Sequence, residues 1–376
     1  MQEVPSSNLG IPTNHLKPSA KTLVQLTPIA VAAIMALAPP SAQTVERYYA
    51  RGLYPFIQGN LTALSNQSPV AWFDVTLGFL LLTVTGSWIY WLRRVRREKS
   101  IKPIARGLFA TLAGGSVVYL WFLAAWGLNY ARPMIETQIP FDESRITPQA
   151  VRGLAELAVR EANRSYAAAH AEGFPAIHDW PTALSDALHQ VERELGRPSP
   201  TRVAHPKTSM LSPFYRAAGV SGQLAPIFLE TLLNPDLTGP ERPAVLAHEW
   251  AHLSGYASES DASFVGYLAA WRAGPAAEYS AWLDLVSEST NQLQPVTQRL
   301  VLEKLEAGPR QDQEAIRQRL KALVRPVERA AWSTYDQMLK SQGVEEGVRS
   351  YSRVVQLLIG TEALTASRLT PQAPSR

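Results

Sequence analysis

The chain of 376 residues contains no cysteine. That absence excludes disulfides, thiolate metal ligands and a cysteine nucleophile, and it leaves His, Asp and Glu as the side chains able to hold a metal. Histidine is itself scarce, with seven in all. Charge is missing over a whole stretch: residues 107–130 read GLFATLAGGSVVYLWFLAAWGLNY without one ionisable acid or base of the Asp, Glu, Lys or Arg kind. Internal repeats and long low-complexity tracts are also absent. What remains is a composition of 46% apolar residues, ordinary for a globular protein. A mean hydropathy of -0.09 hides a segregation, with apolar residues crowded into the first third and charges into the rest.

The net charge of +4 and pI of about 9.2 suggest a nucleic-acid partner. Much of the excess, however, lies in one run, RRVRREKSIK at 93–102, between two apolar segments, and this favours a lipid bilayer as the partner over nucleic acid. Segments 70–92 and 107–130 are long enough to cross hydrocarbon, which takes about 20 apolar residues. Trp88, Tyr90 and Trp91 suit the headgroup boundary. A third segment, 23–38, is shorter, contains Pro28 and ends ALAPP. It reads as a signal peptide or as an uncleaved span, and Pro39 just after the small-residue pattern favours the span. Arg93, Arg94, Arg96, Arg97, Lys99, Lys102 and Arg106 between the second and third spans place that loop in the cytoplasm. Everything after Arg132 is then expected on the extracytoplasmic face of the cell membrane.

Three parts are thus expected: a membrane region at 1–132, one mainly α (α+β) domain at 133–366, and a polar tail at 367–376. Helices are predicted over 147–171 and 181–195, and again from about Ala273 onward, with breaks at Gly308-Pro309 and Pro326. QLAPIFLETLLN at 223–234 is compatible with a strand or a helix by length and composition, and an edge strand is preferred. Gly219 and Gly222 permit a turn into it.

The chemistry concentrates at 247–264, AHEWAHLSGYASESDASF. His248 and His252 are four apart, so a helix puts both on one face. Pro243 suits its first turn and Gly255 its end. Two imidazoles so placed can hold Zn2+, and Glu249 between them can take a proton from water on the metal. A catalytic zinc wants a third protein ligand and an open position. Ser258 reads as the cap of a second helix, with Asp261 three residues on completing a capping box. Glu259 in its first turn is the expected third ligand, Asp261 the reserve, and Ser263, one turn after Glu259, a candidate to support the ligands from behind. Oxyanion stabilisation is expected from Tyr351, Arg353, Tyr256 or His205.

HEWAH followed by ESDAS resembles the gluzincin group of zinc peptidases, in which a glutamate of the second helix is the third ligand. That implies a zincin-like fold and the ligand role for Glu259. Ser263 stands where such proteins often carry Asp or Asn. WGLNYARP, GVSG, HEWAH with ESDASF, and LKSQGVEEGVRSYSRVVQLL together resemble an uncharacterised bacterial family of membrane-anchored, zinc-peptidase-like proteins. The expected function is hydrolysis of a peptide or protein near the membrane. The alternatives are a non-catalytic membrane sensor or scaffold with a structural zinc, or a zinc hydrolase of a non-peptide amide.

Overall fold

The computed structural model describes residues 20–179, 181–342, 353–361 and 363; the expected tail at 367–376 lies outside the described residues. The chain divides into two compact units, Met1–Pro39 with Val84–Leu120 and Pro40–Thr83 with Trp121–Arg376. Most described residues are helical, and the one sheet among them has two strands.

The first unit takes its helices from α1 (Ala20–Leu37) and from most of two longer ones. The elements α2 (Ala42–Thr44), a π-helix at Val45–Leu53 and α3 (Tyr54–Ser65) precede those two, α4 (Trp72–Glu98) and α5 (Lys102–Ala125). By length and composition α4 and α5 can cross a membrane, and a third span results if Val24–Leu37 and Ala42–Ser65 count as one broken span. No residue of α4 is buried, which leaves its apolar surface to lipid. Within the first unit Gly107 lets α5 approach Trp91, since a Cβ there would lie 2.9 Å from that ring.

In the second unit α6 (Pro148–Glu172) starts at Thr147, whose hydroxyl accepts the Ala150 N–H at 3.1 Å. After α7 (Thr182–Glu194) and α8 (Ser212–Ala218) comes a hairpin, β1 (Gly222–Ala225) and β2 (Glu230–Leu233), antiparallel with Gly222 opposite Leu233. The apolar stretch expected as one edge strand therefore turns back on itself at 226–229. The central pair is α9 (Arg242–Leu253) and α10 (Glu259–Ala270). Every residue of α10 except Ser263 is buried, so this helix is the core, packed between α9 and α7. Gly266 makes the approach possible: a Cβ there would sit 3.0 Å from the His248 backbone nitrogen. The helices α11 (Pro275–Thr290), α12 (Pro295–Leu302), α13 (Ala307–Leu320), α14 (Arg325–Ser341) and α15 (Arg353–Gly360) complete the unit. Gly308, Pro309 and Pro326 lie in first turns, starting helices rather than breaking them.

Segment 39–68, between the first and second expected spans, is largely helical. One face of α3 is held by hydrogen bonds. Tyr54 Oη donates to the Leu253 carbonyl at 2.7 Å, Gln58 brackets the Arg202 backbone at 2.7 and 3.1 Å, and Thr62 Oγ1 donates to Leu229 at 3.1 Å. The third span ends earlier than expected, at Ala125, because Trp126, Asn129 and Arg132 have partners in the globular unit.

Candidate metal centre

Helix α9 enters through a 3-10 turn capped by Thr238 and Glu241, and Glu241 is fixed in turn by Arg319 at 2.6 Å. His248 and His252 then project from one face, their rings 4.6 Å apart and perpendicular. The helix ends at Gly255, which adopts φ +86 and would place a Cβ 2.9 Å from Asn129 Oδ1, so conformation and space both demand glycine. The open carbonyls of this helix end are capped from elsewhere in the unit. Trp126 Nε1 donates to His252 O at 3.1 Å and Arg132 Nη1 to Gly255 O at 2.7 Å, beside the Tyr54 bond to Leu253.

The turn brings Glu259 back over the histidines. Its Oε2 lies 3.1 Å from His248 Nε2 and 3.3 Å from His252 Nε2, and the three donor groups fall within 4.8 Å of one another. His252 Nδ1 is 2.8 Å from the Tyr256 carbonyl, which can only accept, so that nitrogen carries the proton. A neutral His252 then turns a lone pair from Nε2 towards a carboxylate. Lone pairs facing one another in a buried place call for a cation, either a proton or a metal ion. Burial alone would lower the His252 pKa, but the Glu259 charge, helped by Glu249, pushes it up to about 9. Burial would likewise raise Glu259, and the two histidines hold it well below the usual carboxylate range. His248 Nδ1 meets Ser263 Oγ at 3.1 Å, which gives Ser263 a place behind one of the histidines.

Glu249 is not one of the three clustered donors, but it stands close enough for the charges of His248, His252 and Glu259 to act on it. Its carboxyl is buried and Oε2 has no hydrogen-bond partner. Burial raises its pKa, against the pull of His248 and His252, and the Leu224 backbone N–H also favours the charged form. Strand β1 runs beside it, and a Cβ on Gly222 would come within 2.6 Å of Glu249 Oε1.

The other expected residues fare differently. Asp261 neither joins the cluster nor completes a cap at Ser258: its Oδ2 accepts the Ile135 N–H at 3.1 Å, and burial pushes it up to about 7. Tyr256 contributes its carbonyl, while its ring lies under Arg132 and Arg197. Arg353 pairs with Glu136 at 2.6 Å. The His205 backbone N–H donates to Asn66. Tyr351 lies outside the described residues. Two tyrosines went unforeseen. Tyr335 on α14 donates its hydroxyl to Glu259 Oε1, and Tyr130 stands close enough for the Glu259 charge to add to the burial that raises its pKa. Tyr335 is 76 residues from its partner, beyond any local pattern; Tyr130 was read only as the end of a span.

A family model described as "Protein of unknown function (DUF3810)" matches residues 49–359, and the chain belongs to that family. Comparison with curated proteins and with solved structures found no match.

Proposed function

We propose that this protein is a membrane-anchored zinc metallopeptidase of gluzincin type. The observation that carries the reading is the convergence of His248 Nε2, His252 Nε2 and a Glu259 oxygen, each steadied by a further group: Ser263, the Tyr256 carbonyl and Tyr335. The donor set, two neutral imidazoles and one carboxylate, suits Zn2+ with an open position. Bound there, the ion supplies Lewis acidity, which makes water a nucleophile near neutral pH and polarises a carbonyl.

The chain's own residues do the rest. Glu249, raised above an ordinary carboxylate, accepts a proton from the attacking water and delivers it to the leaving amine nitrogen. Tyr335 keeps Glu259 from swinging away by holding its second oxygen. An extended peptide substrate has a place to lie. Among the described residues β1 has one strand neighbour, β2, whose far edge is taken by Lys207. The edge of β1 away from β2, where the Leu224 N–H meets Glu249, can add a peptide as another strand once the substrate takes over that donor. The basic loop at 93–102 favours the cytoplasm, which puts the globular unit on the extracytoplasmic face.

The test uses the full-length chain in detergent. His248→Ala is expected to lose stoichiometric zinc, and Glu249→Gln to keep zinc while losing peptide hydrolysis. Zinc unchanged in His248→Ala overturns the ligand assignment. Zinc retained by the wild type with no hydrolysis of any peptide in a degenerate library, inside or outside bilayers, favours the structural-zinc alternative.

A further inference from the structure

A second polar site lies on the other side of the α9–α10 turn. Glu46, Arg51, Arg132, Arg197 and Tyr256 surround a cavity of about 10 Å³, room for one oxygen-sized group. Three guanidinium groups and the carboxylates of Glu46 and Glu192 meet there, and the buried Asp261 also acts on Arg132.

The donors are not equally engaged. Arg132 gives Nε to Glu46 at 2.7 Å and Nη1 to Gly255 O at 2.7 Å. Arg51 gives Nε to Glu46 at 2.9 Å and Nη1 to Gly196 O at 3.2 Å. Arg197 is different. Its side chain is 6% exposed, its Nε has no hydrogen-bond partner, and the nearest carboxylate oxygen, Glu192 Oε1, stands 3.5 Å away. Glu192 is already occupied by the Thr201 N–H at 3.0 Å and the Thr201 hydroxyl. Arg197 keeps its ion pair with Glu192 and its place over the Tyr256 ring, but its buried Nε–H lacks a hydrogen-bond acceptor, which is costly unless a further group supplies one.

We propose that this cavity binds one oxygen of a phosphate group, with Arg197 as the buried donor and Arg51 as the rim. One phosphate oxygen can accept from the orphaned Nε–H, and an ionised acceptor makes that hydrogen bond stronger than water would. The space admits a single oxygen, and Arg51, 48% exposed, can meet the remainder of the group outside. Two sources share this chemistry, free phosphate and a phospholipid headgroup. The site stands whether or not a metal occupies the histidine cluster.

The experiment takes the full-length chain in phosphate-free detergent buffer and follows thermal unfolding against inorganic phosphate or chloride at matched ionic strength. In parallel, native mass spectrometry after release from phosphatidylglycerol bilayers counts retained lipid. A rise in Tm of about 3 °C near saturation with phosphate and not with chloride, weakened at least about tenfold in affinity by Arg197→Gln, establishes a free-phosphate site. No such rise, but a retained phospholipid that Arg197→Gln releases, establishes a headgroup site. Arg197→Lys keeps the charge without the Nε–H donor and is expected to bind as poorly as Arg197→Gln. Should both Arg197 variants misfold by circular dichroism, Arg51→Gln at the rim gives the readout, with an expected loss of about threefold. Equal shifts with chloride and phosphate, or neither a shift nor a retained lipid, overturn the proposal and leave the cavity to water.

Discussion

Glu230 and Glu259 are both buried carboxylates, exposed by 0% and 2%, yet their surroundings are opposites. Around Glu230 every neighbour is a donor. Lys207 Nζ lies at 2.8 Å, Ser65 Oγ at 3.0 Å, and the backbone N–H groups of Trp72 and Phe73 at 2.9 and 2.7 Å. Lys207 completes its own set with Ser65 and Val70. This carboxylate joins the hairpin to the first turn of α4 and has nothing left to bind. Around Glu259 two of three neighbours are imidazole nitrogens, and one of these, on His252, has its proton fixed on the far side of the ring. A saturated buried charge is a joint, whereas a buried charge among lone pairs is better stabilised by taking a cation.

The largest effect follows from removing the partners of the saturated site altogether. A chain begun at Arg132 lacks Tyr54, Gln58, Ser65, Trp72 and Phe73, and with them the groups that satisfy Glu230, Lys207 and the end of α9. It is expected not to fold, with no cooperative transition in a thermal scan, whereas a chain keeping residues 40–83 folds. A cooperative transition in the shorter piece breaks the comparison at its root. Next comes Lys207→Met, which leaves Glu230 uncompensated and should cost about 3–5 kcal/mol in a urea titration, with or without zinc. A cost that appears only in the presence of zinc contradicts the distinction between the two carboxylates.

Ser263→Ala acts on the other side. Removing the contact to His248 Nδ1 should weaken zinc about 10–100-fold while leaving metal-free stability nearly unchanged, as competition with a chromogenic chelator reads out. Gly222→Ala is milder. Its Cβ displaces the Glu249 carboxyl, so hydrolysis should fall about tenfold with zinc content intact. An equal fall in zinc would make Gly222 a packing residue with no bearing on the reaction.

The readable and unreadable parts of this chain divide along the same physical line. His248, Glu249, His252 and Glu259 follow helical spacing and one glycine turn, so local sequence suffices to bring three of them together. The long apolar helices were equally legible, because burial in lipid needs only length and composition. Helix α3 was missed because its inward residues Tyr54, Gln58, Thr62 and Ser65 recur at helical spacing but are polar. A pattern built on hydrophobicity cannot see a face that packs through hydrogen bonds. Asp261 matched a capping box by spacing, yet Ile135, distant in sequence, offered the N–H it took. Tyr335 depends on a helix that returns from 76 residues away, which no window reports.

A third carboxylate environment sharpens the contrast at the smallest scale. Asp284 and Glu288 stand one turn apart on α11, where Tyr267 donates its hydroxyl to Asp284 at 2.7 Å. Here acid faces acid, and burial together with the Asp284 charge pushes Glu288 up to about 7. The sign follows from linkage: a folded pKa above the unfolded value of 4.5 means the folded chain binds more protons between the two. Stability from this group is therefore full below about pH 4.5, declines as pH rises towards 7, and is level above. Glu288→Gln removes the decline, so it should raise stability by on the order of 1 kcal/mol at pH 8 and leave it unchanged at pH 4. Urea midpoints at both pH values measure this directly. An equal effect at the two pH values would mean that glutamine changes packing instead, and that Glu288 keeps its proton no better than an exposed carboxylate.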